Sequence, residues 1–566
     1  MDQSSKTKFV FYDLETTGIS PAFDQPLQFA AIVTDLELNE IERVDIRCQL
    51  SPHILPSPKA LAVTGVRPSQ LENNNLPTAF EFAQTIQKFT EQWAPAIWIG
   101  YNSIAFDEAM LRQMFYQNLQ PNIFATQFHD NTRLDVMKMI FAVYAEAPAI
   151  LKWPLNDKGK VSFKLDQLAP LNGFHAHNAH DALGDVEATI FIVDKIKTQK
   201  PDLYQKLFEA RDKERNFQLL KSFKPVDVTL RFGGNAPKTY TGCLCGLPHN
   251  NKNMVGFFDL NQSDPMELIH GTEQDIIEAM TKSPQRIRSL RLNQGDTIRP
   301  ASAENFEWEH ICAVIESNEA FQAMVSKCLE NKYSDTEDID LLVEEKIFAG
   351  FYSYQDKELL QKFQTSNWTG RLTLLGEVQD ERIQQLGRRL VAFNAGHLLD
   401  DKYQNVVQEY LADKWSAGEA NVRWATIASV HEQLSELEKE GLLENTIVMF
   451  WADHGDGLPY VKREITDRGL RVPLIIRFPN NGENKTDRGN TDSRLISSID
   501  YAPTVLSLAG IKPPANMQGR AFLGPYASKG KNQYVFAARD RLDSDYDRVR
   551  SVHDGRYQYV YNFFPE

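Results

Sequence analysis

The sequence predicts an α/β protein of several domains, with a mixed sheet and flanking helices in its N-terminal part. Its 566 residues exceed what one hydrophobic core usually holds, so three or four domains are expected. KFVFYDLETTG (8–18) is typical of a buried strand and a turn, and two further strand patterns follow at 25–35 and 43–51. NAHDALGDVEATIFIVDKI (178–196) has the apolar spacing of an amphipathic helix.

The composition is that of a globular protein, with 42% hydrophobic and 24% charged residues. The net charge of −15 argues against a protein that coats nucleic acid non-specifically, but it allows a local basic groove. No apolar segment predicts a signal peptide or a membrane span. Five scattered cysteines, an odd number, favour a reducing compartment, and the cytoplasm is expected. They are Cys48, Cys243, Cys245, Cys312 and Cys328.

Asp13 and Glu15 are two carboxylates at the end of the first predicted strand. Residues i and i+2 of a strand point to the same face, so the two side chains repel each other unless a cation lies between them. A solvated strand end is the simpler interpretation of a lone D-x-E pattern. The preceding residues FVFY (9–12) are apolar enough to be interior, which favours a bound divalent metal.

Further candidate metal ligands lie on two later segments. Asp107 comes near the start of a predicted helix within AIWIGYNSIAFDEAMLRQMF (96–115), and His180 and Asp185 come near the start of the helix pattern at 178–196. Taken alone, Asp107 is a charge favoured at a helix N-terminus, and His180 is a surface histidine. The combined order D-x-E, N-x-x-x-x-D and H-x-x-x-x-D along one chain is far less probable by chance.

These motifs resemble the DEDDh family of 3′→5′ exonucleases, and its exodeoxyribonuclease I branch in particular. The resemblance extends through VTGVRPSQL (63–71), WPLNDKGKVSFKLDQLAPLNGF (153–174) and the segment 177–208. It implies an RNase H-like exonuclease domain over residues 1–200 that holds two Mg²⁺ ions, for which Mn²⁺ can substitute. It also implies His180 as the general base, and it suggests that Glu15 and Lys164 lie near the substrate. The implied metal ligands are Asp13, Glu15, Asp107 and Asp185.

The middle of the chain predicts short strands followed by helices. The segments 226–248 and 252–262 alternate in the manner of strands. The next segment, 283–300, gathers four arginines that form either a solvated strand face or part of a positively charged groove. These are Arg286, Arg288, Arg291 and Arg299. The resemblance implies an SH3-like β domain over 201–355 and a truncated helical domain over 356–414.

A second resemblance begins near residue 415. The segments 430–479 and 497–524 resemble the C-terminal half of a sulfatase of the alkaline phosphatase superfamily. By position, Asp453 and His454 correspond to metal ligands, and Lys462 corresponds to a lysine near the sulfate ester. The motif C/S-x-P-x-R, which supplies the sulfatase nucleophile, does not occur in this sequence. An incomplete α/β sulfatase-like fragment with a vestigial site is therefore expected over 415–566.

The leading hypothesis is a magnesium-dependent exonuclease that removes nucleoside 5′-monophosphates from the 3′ end of single-stranded DNA. The resemblance implies roles in DNA repair and recombination and contact with the acidic tail of single-strand-binding protein. We expect a cytoplasmic monomer that does not enter a membrane. Three alternatives stay open: a DEDDh ribonuclease, a sulfatase or phosphatase, and a fusion that binds DNA but turns over poorly.

Overall fold

The protein is described by a computed structural model that covers residues 7–66, 70, 75–175, 181–262, 266–331, 341–416, 422–439, 447–451, 465, 470–472, 474–478, 491–542 and 545–563. The chain forms two compact units. The first holds residues 1–395 and 419–426, and the second holds 396–418 and 427–566. Among the described helices, none is both long and apolar enough to cross a membrane.

A five-stranded mixed sheet organises the N-terminal part of the first unit. Its order is β3-β2-β1-β4-β5, with β1, β2 and β3 antiparallel and with β1, β4 and β5 parallel. The strands are β1 (Lys8–Thr16), β2 (Pro26–Thr34), β3 (Glu40–Arg47), β4 (Ala96–Gly100) and β5 (Thr132–Asp135). This arrangement confirms the predicted α/β fold with a mixed sheet.

Helices cover both faces of this sheet. They are α1 (Pro58–Thr64), α2 (Ala79–Gln92), α3 (Asp107–Gln117), α4 (Val136–Glu146), α5 (Leu165–Leu171), α6 (Ala182–Gln199), α7 (Pro201–Glu209) and α8 (Lys213–Lys221). One core joins Phe9 and Phe11 of β1 to the apolar sides of α4 and α6. The opposite core joins Val10 and Tyr12 of β1 to α2 and α3. The alternation along β1 therefore assigns each helix layer to one set of side chains.

A second, fully antiparallel sheet follows in the order β10-β6-β7-β8-β9. Its strands are β6 (Val226–Leu230), β7 (Lys238–Gly246), β8 (Met254–Asp259), β9 (Ile287–Arg291) and β10 (Ile298–Pro300). Two helices, α9 (Met266–Ile269) and α10 (Glu273–Thr281), lie between β8 and β9. The sheet agrees with the short strands expected here, while its assignment as SH3-like stays a prediction.

Helices complete the first unit, as the sequence predicts. They are α11 (Phe306–Glu316), α12 (Glu319–Asn331), α13 (Tyr354–Thr365), α14 (Trp368–Leu375) and α15 (Glu381–Ala395). A short segment after residue 418 also belongs to this unit, since Trp424 packs its ring 5.6 Å from that of Phe23 and Arg423 pairs with Glu345.

The second unit contains helices and two small sheets. Its described elements are α16 (Asp401–Ser416), α17 (Ile427–Lys439), β11 (Val448–Trp451), β12 (Leu474–Arg477), α18 (Tyr501–Leu508), β13 (Val535–Leu542), β14 (Asp545–His553) and β15 (Gln558–Asn562). Phe450 on β11 is 58% exposed, and Ile475 on β12 is 61% exposed. These apolar side chains lack the cover that a complete sheet core would give.

Candidate active site

The end of β1 carries the two predicted carboxylates on one face of the sheet. Asp13 and Glu15 continue the alternation of Phe9 and Phe11, whose side chains lie in the core beneath α6. The apolar first half of the strand is covered by the helix, and the acidic second half lies where the helix begins. Two negative charges at the end of this buried strand are therefore part of a site rather than a solvated strand end.

The helix α6 supplies the third carboxylate. Asp185 lies in the first turn of α6, and one oxygen each of Asp13, Glu15 and Asp185 lies within 4.8 Å of the other two. Glu15 is buried, whereas Asp13 and Asp185 are partly exposed. Three hard oxygen ligands so close together, reachable from solvent on one side, suit a divalent cation.

Asp107 approaches the same carboxylates from α3, which packs on the face of the sheet opposite to α6. It is the first residue of α3 and is 3% exposed. The parallel pairing of β1 with β4 ends at Phe11 and Ile99, and beyond it the Leu14 amide donates to the Asp107 carboxylate. Asp107 is not one of the three carboxylates within 4.8 Å, but its charge acts on both Asp13 and Glu15.

The carboxylates of the site have raised pKa values, because they are buried and lie close to other negative charges. Burial raises the pKa of Asp13 well above the ordinary carboxyl range, and the charges of Asp107, Asp185 and Glu15 raise it further. Burial, followed by the charges of Asp185 and Asp107, raises the pKa of Glu15 to about 9. Carboxylates in such surroundings hold protons or cations.

Asp135 has a structural role that the sequence reasoning missed. Its buried carboxylate accepts backbone N–H groups of Asn102 at 3.0 Å and Ile104 at 3.2 Å. These bonds fix the loop between β4 and α3, in which Asn102 adopts a φ of 64°, and so they place Asp107. The position of Asp135 at the end of a short strand was the only signal in the sequence. The signal is weak because a lone Asp before a helix is common as an N-cap.

Other predicted residues are not brought together by the described structure. Lys164 is exposed and lies directly before α5, and its role near substrate stays a prediction. His180 lies outside the described residues, as do three sulfatase-like positions. These are Asp453, His454 and Lys462. The helix predicted over 178–196 begins at Ala182 in the structure.

The arginine-rich segment 283–300 is neither uniformly solvated nor uniformly available to a ligand. Arg288 is 8% exposed and pairs with Asp259 at 3.3 Å. Arg299 is 2% exposed, pairs with Glu146 and donates to Thr229 Oγ1 at 2.9 Å. These two side chains are therefore not part of a solvated strand face, because their partners come from strands and helices far away in sequence. Arg288 lines a cavity beside the second sheet, and the groove stays a prediction.

Comparison with known proteins assigns a class to the N-terminal part of the chain. The family model for the exonuclease domain matches residues 10–193, which contain the whole carboxylate site. The chain therefore contains an exonuclease domain. A model for sulfatases matches residues 317–511 and begins well before the junction predicted near 415, although α12 to α15 belong to the first compact unit.

Curated relatives resemble the N-terminal part over different lengths. Exodeoxyribonuclease I of Escherichia coli K12 is 36% identical over 264 residues, which cover 46% of this chain and 55% of that protein. Exodeoxyribonuclease I of Buchnera aphidicola from Acyrthosiphon pisum is 29% identical over 69% of this chain and 98% of its own. The chain thus spans about half of the first relative and nearly all of the second. Its N-terminal part is homologous to exodeoxyribonuclease I.

Solved structures support the same fold. The structure of E. coli exonuclease I with a dA16 oligonucleotide aligns with a TM-score of 0.65 and 26% identity, covering 77% of this chain and 95% of that one. Other solved forms of exonuclease I contain single-strand-binding protein (SSB) with an inhibitor, or zinc and single-stranded DNA.

The C-terminal part has a different relative. An ulvan-active sulfatase of Formosa agariphila is 51% identical over 133 residues, which are 24% of this chain and 22% of that protein.

Proposed function

We propose that the chain is a divalent-metal-dependent 3′→5′ exonuclease that releases nucleoside 5′-monophosphates from single-stranded DNA. The observation that carries the proposal is the convergence of Asp13, Glu15 and Asp185, whose oxygens lie within 4.8 Å of one another. Homology to exodeoxyribonuclease I and the oligonucleotide complexes of that enzyme support the choice of substrate. A DEDDh ribonuclease would use the same carboxylates and is the alternative within this class.

Each carboxylate has a proposed role. Asp13, Glu15, Asp107 and Asp185 hold two Mg²⁺ ions, with Mn²⁺ as a substitute, since carboxylate oxygens are the ligands that these hard cations prefer. When bound, the ions supply positive charge to the attacked phosphate and to the departing 3′-oxygen. The raised pKa values of Asp13 and Glu15 support this role, because bound cations offset the burial and the mutual repulsion that raise them.

Proton transfer and substrate contact are assigned to three side chains. His180 accepts the proton of the attacking water, since an imidazole titrates near neutral pH. It directly precedes Asp181, the N-cap residue of α6, and this position in the chain supports the role. Glu15 also orients the 3′-terminal nucleotide, and Lys164 carries a positive charge toward the DNA backbone.

A cavity of about 350 Å³ between α4 and the second sheet supports strand binding. Its lining includes Lys138, Arg231 and Arg291, together with Phe232, which is 49% exposed. Positive side chains beside an exposed aromatic ring suit a single strand, because they contact its phosphates while its bases stack. The role of the second sheet in a DNA groove, and its SH3-like identity over 201–355, belong to this proposal.

The wider context is proposed from the same homology. A role in DNA repair and recombination, and contact with the acidic tail of single-strand-binding protein, are supported by the solved complex of exonuclease I with SSB. A cytoplasmic location is supported by the five buried cysteines, none of which forms a disulfide. We further propose that the chain acts as a monomer and that residues 1–200, 201–355, 356–414 and 415–566 are its domains.

Sulfatase activity is disfavoured as a function of this chain. The sulfatase-like part corresponds to about a fifth of the F. agariphila enzyme, and the sequence has no C/S-x-P-x-R motif to supply a nucleophile. Asp453, His454 and Lys462 are proposed to be vestiges of the sulfatase site. We therefore assign catalysis to the first compact unit alone.

The proposal is tested with a single-stranded DNA oligomer that carries a label near its 5′ end, incubated with Mg²⁺ or with EDTA. We expect stepwise shortening from the 3′ end with Mg²⁺, none with EDTA, and much slower cleavage of the matching RNA. Asp13→Asn and Asp185→Asn should each reduce the rate at least about 100-fold while fluorescence anisotropy still detects DNA binding.

The matched control is Asp194→Asn. Asp194 lies on the same helix as Asp185 but is exposed, so its loss should leave the rate within about twofold of the wild type. Undiminished metal-dependent cleavage by the Asp13→Asn protein would overturn the proposal. Faster cleavage of RNA than of DNA would instead favour the ribonuclease alternative.

A further inference from the structure

A row of side chains crosses the sheet from the metal site toward its edge. Glu15 on β1 is paired with Gln28 on β2, and Gln28 is paired with Arg47 on β3. Paired residues of neighbouring strands point to the same face, so the three side chains lie side by side beneath the start of α6. Gln28 is completely buried, which is unusual for a glutamine without a specific partner.

The partner of Gln28 is Asp181, the N-cap residue of α6. Gln28 Nε2 donates to Asp181 Oδ1 at 2.8 Å, and an Arg47 guanidinium nitrogen donates to the same oxygen at 3.0 Å. Gln28 Nε2 also donates to Asp45 Oδ1 at 2.9 Å. Both hydrogens of the amide are thus committed to carboxylates, so the orientation of the Gln28 side chain is determined.

Asp181 uses its carboxylate in an uncommon way for an N-cap residue. An aspartate at this position usually accepts a hydrogen bond from the backbone of its own helix, but the side chain of Asp181 makes no such bond. Its carboxylate is bound by the sheet instead, while its carbonyl oxygen accepts the Asp185 amide at 3.1 Å. A single residue therefore links the sheet to the helical turn that carries Asp185.

From this geometry we propose that Gln28, Arg47 and Asp181 are positioning residues that hold Asp185 at metal-binding distance from Asp13 and Glu15. The inference rests on the proposed nuclease function and extends it to residues that touch neither metal nor substrate. Without this link the first turn of α6 would be held by the packing of apolar side chains such as Ala182 and Val186, and no polar contact would fix its N-cap residue to the strands. The separation of the Asp185 oxygen from the strand carboxylates would then vary, and divalent cations would bind more weakly.

The structure offers a matched control on the same two elements. Arg43 on β3 pairs with Glu187 on α6, and it also pairs with Glu40 at 2.7 Å. Like Arg47, Arg43 joins β3 to α6, but its partner lies beyond Asp185 instead of before it. Loss of Arg43 therefore removes a strand-to-helix ion pair but leaves Asp181, the N-cap residue of α6, bonded to Gln28 and Arg47 of the sheet.

The test measures Mn²⁺ affinity by calorimetry, together with kcat, KM and the thermal unfolding midpoint, for Arg47→Ala, Asp181→Ala and Arg43→Ala. We expect about tenfold weaker Mn²⁺ binding and about tenfold lower kcat for the first two variants, with KM for the oligonucleotide unchanged. Arg43→Ala should match the wild type in both quantities. Arg47→Lys, which retains the charge, should restore part of the affinity and serves if the alanine variant does not fold.

The two proposals fail separately in this experiment. Equal loss of Mn²⁺ affinity in Arg43→Ala and Arg47→Ala would overturn the positioning role, since any strand-to-helix ion pair would then serve. Unchanged affinity in Arg47→Ala and Asp181→Ala would also overturn it. Absence of DNA cleavage by the wild-type protein would overturn the proposed function, while the affinities would still decide whether the network positions Asp185.

Discussion

At the scale of single residues, the protein keeps carboxylates close together at a cost in free energy that bound protons or cations remove. Asp13, Glu15 and Asp107 all have raised pKa values because burial and mutual repulsion disfavour their charged forms. The sequence predicted Asp13 and Glu15 from strand alternation, and Asp107 and Asp185 from their order along the chain. It could not predict Gln28 or Arg47, because their importance arises from strand register, which local patterns do not reveal.

The raised pKa values predict how stability depends on pH. The pKa of Glu15 is about 9 in the folded protein, against about 4.3 for an unperturbed glutamate, so the unfolded chain loses its proton first as pH rises. Folding then requires proton uptake, and the unfolding free energy of the metal-free protein should fall from about pH 5 to about pH 9. Thermal unfolding in EDTA across this range measures the effect.

Two comparisons check the origin of this fall. Mg²⁺ replaces the protons, so the midpoint in its presence should vary much less between about pH 5 and pH 9. Glu15→Gln removes one titrating group and should flatten the profile in EDTA. Parallel profiles with EDTA and with Mg²⁺ would contradict the assignment of a cation to these carboxylates.

At the scale of elements, local sequence patterns predicted where strands and helices lie better than they predicted which residues contact those elements. The strand β1 and the helix α3 begin at or next to the predicted residues, because their apolar periods are clear. The helix α6 begins at Ala182, after the predicted start, because the polar residues before it give no period. The sequence could not decide whether the arginines of 283–300 face solvent or a groove, because the acids that pair with Arg288 and Arg299, Asp259 and Glu146, are distant in sequence.

The burial of Arg299 predicts a stability difference between two arginines of the same segment. Arg299→Ala removes a side chain that is 2% exposed and leaves Thr229 and Glu146 without their guanidinium partner. We expect a loss of about 2 kcal/mol in unfolding free energy. Arg286→Ala is the control, because its partner Glu267 has a largely exposed side chain, and its loss should cost less than about 1 kcal/mol. Denaturant unfolding measures both, and equal losses would contradict the buried role.

At the scale of the whole molecule, two sequences of different ancestry share one chain. The exonuclease part has its own cores and its own carboxylate site. The sulfatase-like part corresponds to a small share of its relative and exposes large apolar residues such as Phe536 and Tyr559, at 74% and 64%. The sequence predicted both ancestries because the motifs of each are local. It did not predict that residues 419–426 belong to the first unit, since the contacts of Arg423 and Trp424 with that unit are long-range.

This division predicts the behaviour of a shortened chain. A protein of residues 1–426 retains the carboxylate site and the contact of Trp424 with Phe23, so its cleavage rate on single-stranded DNA should stay within about twofold of the full chain. Steady-state assays with equal amounts of active protein measure this. Trp424→Ala in the shortened chain tests the contact, and we expect a lower unfolding midpoint. A more than tenfold loss of rate on truncation would show that the second unit contributes to catalysis.

The most direct test of the central claim is an anomalous-diffraction measurement on crystals of the protein soaked in Mn²⁺. We expect anomalous peaks within ligand distance of Asp13, Glu15 and Asp185, and their loss in the Asp185→Asn protein. Crystals that bind Mn²⁺ elsewhere while these three carboxylates hold none would contradict that claim.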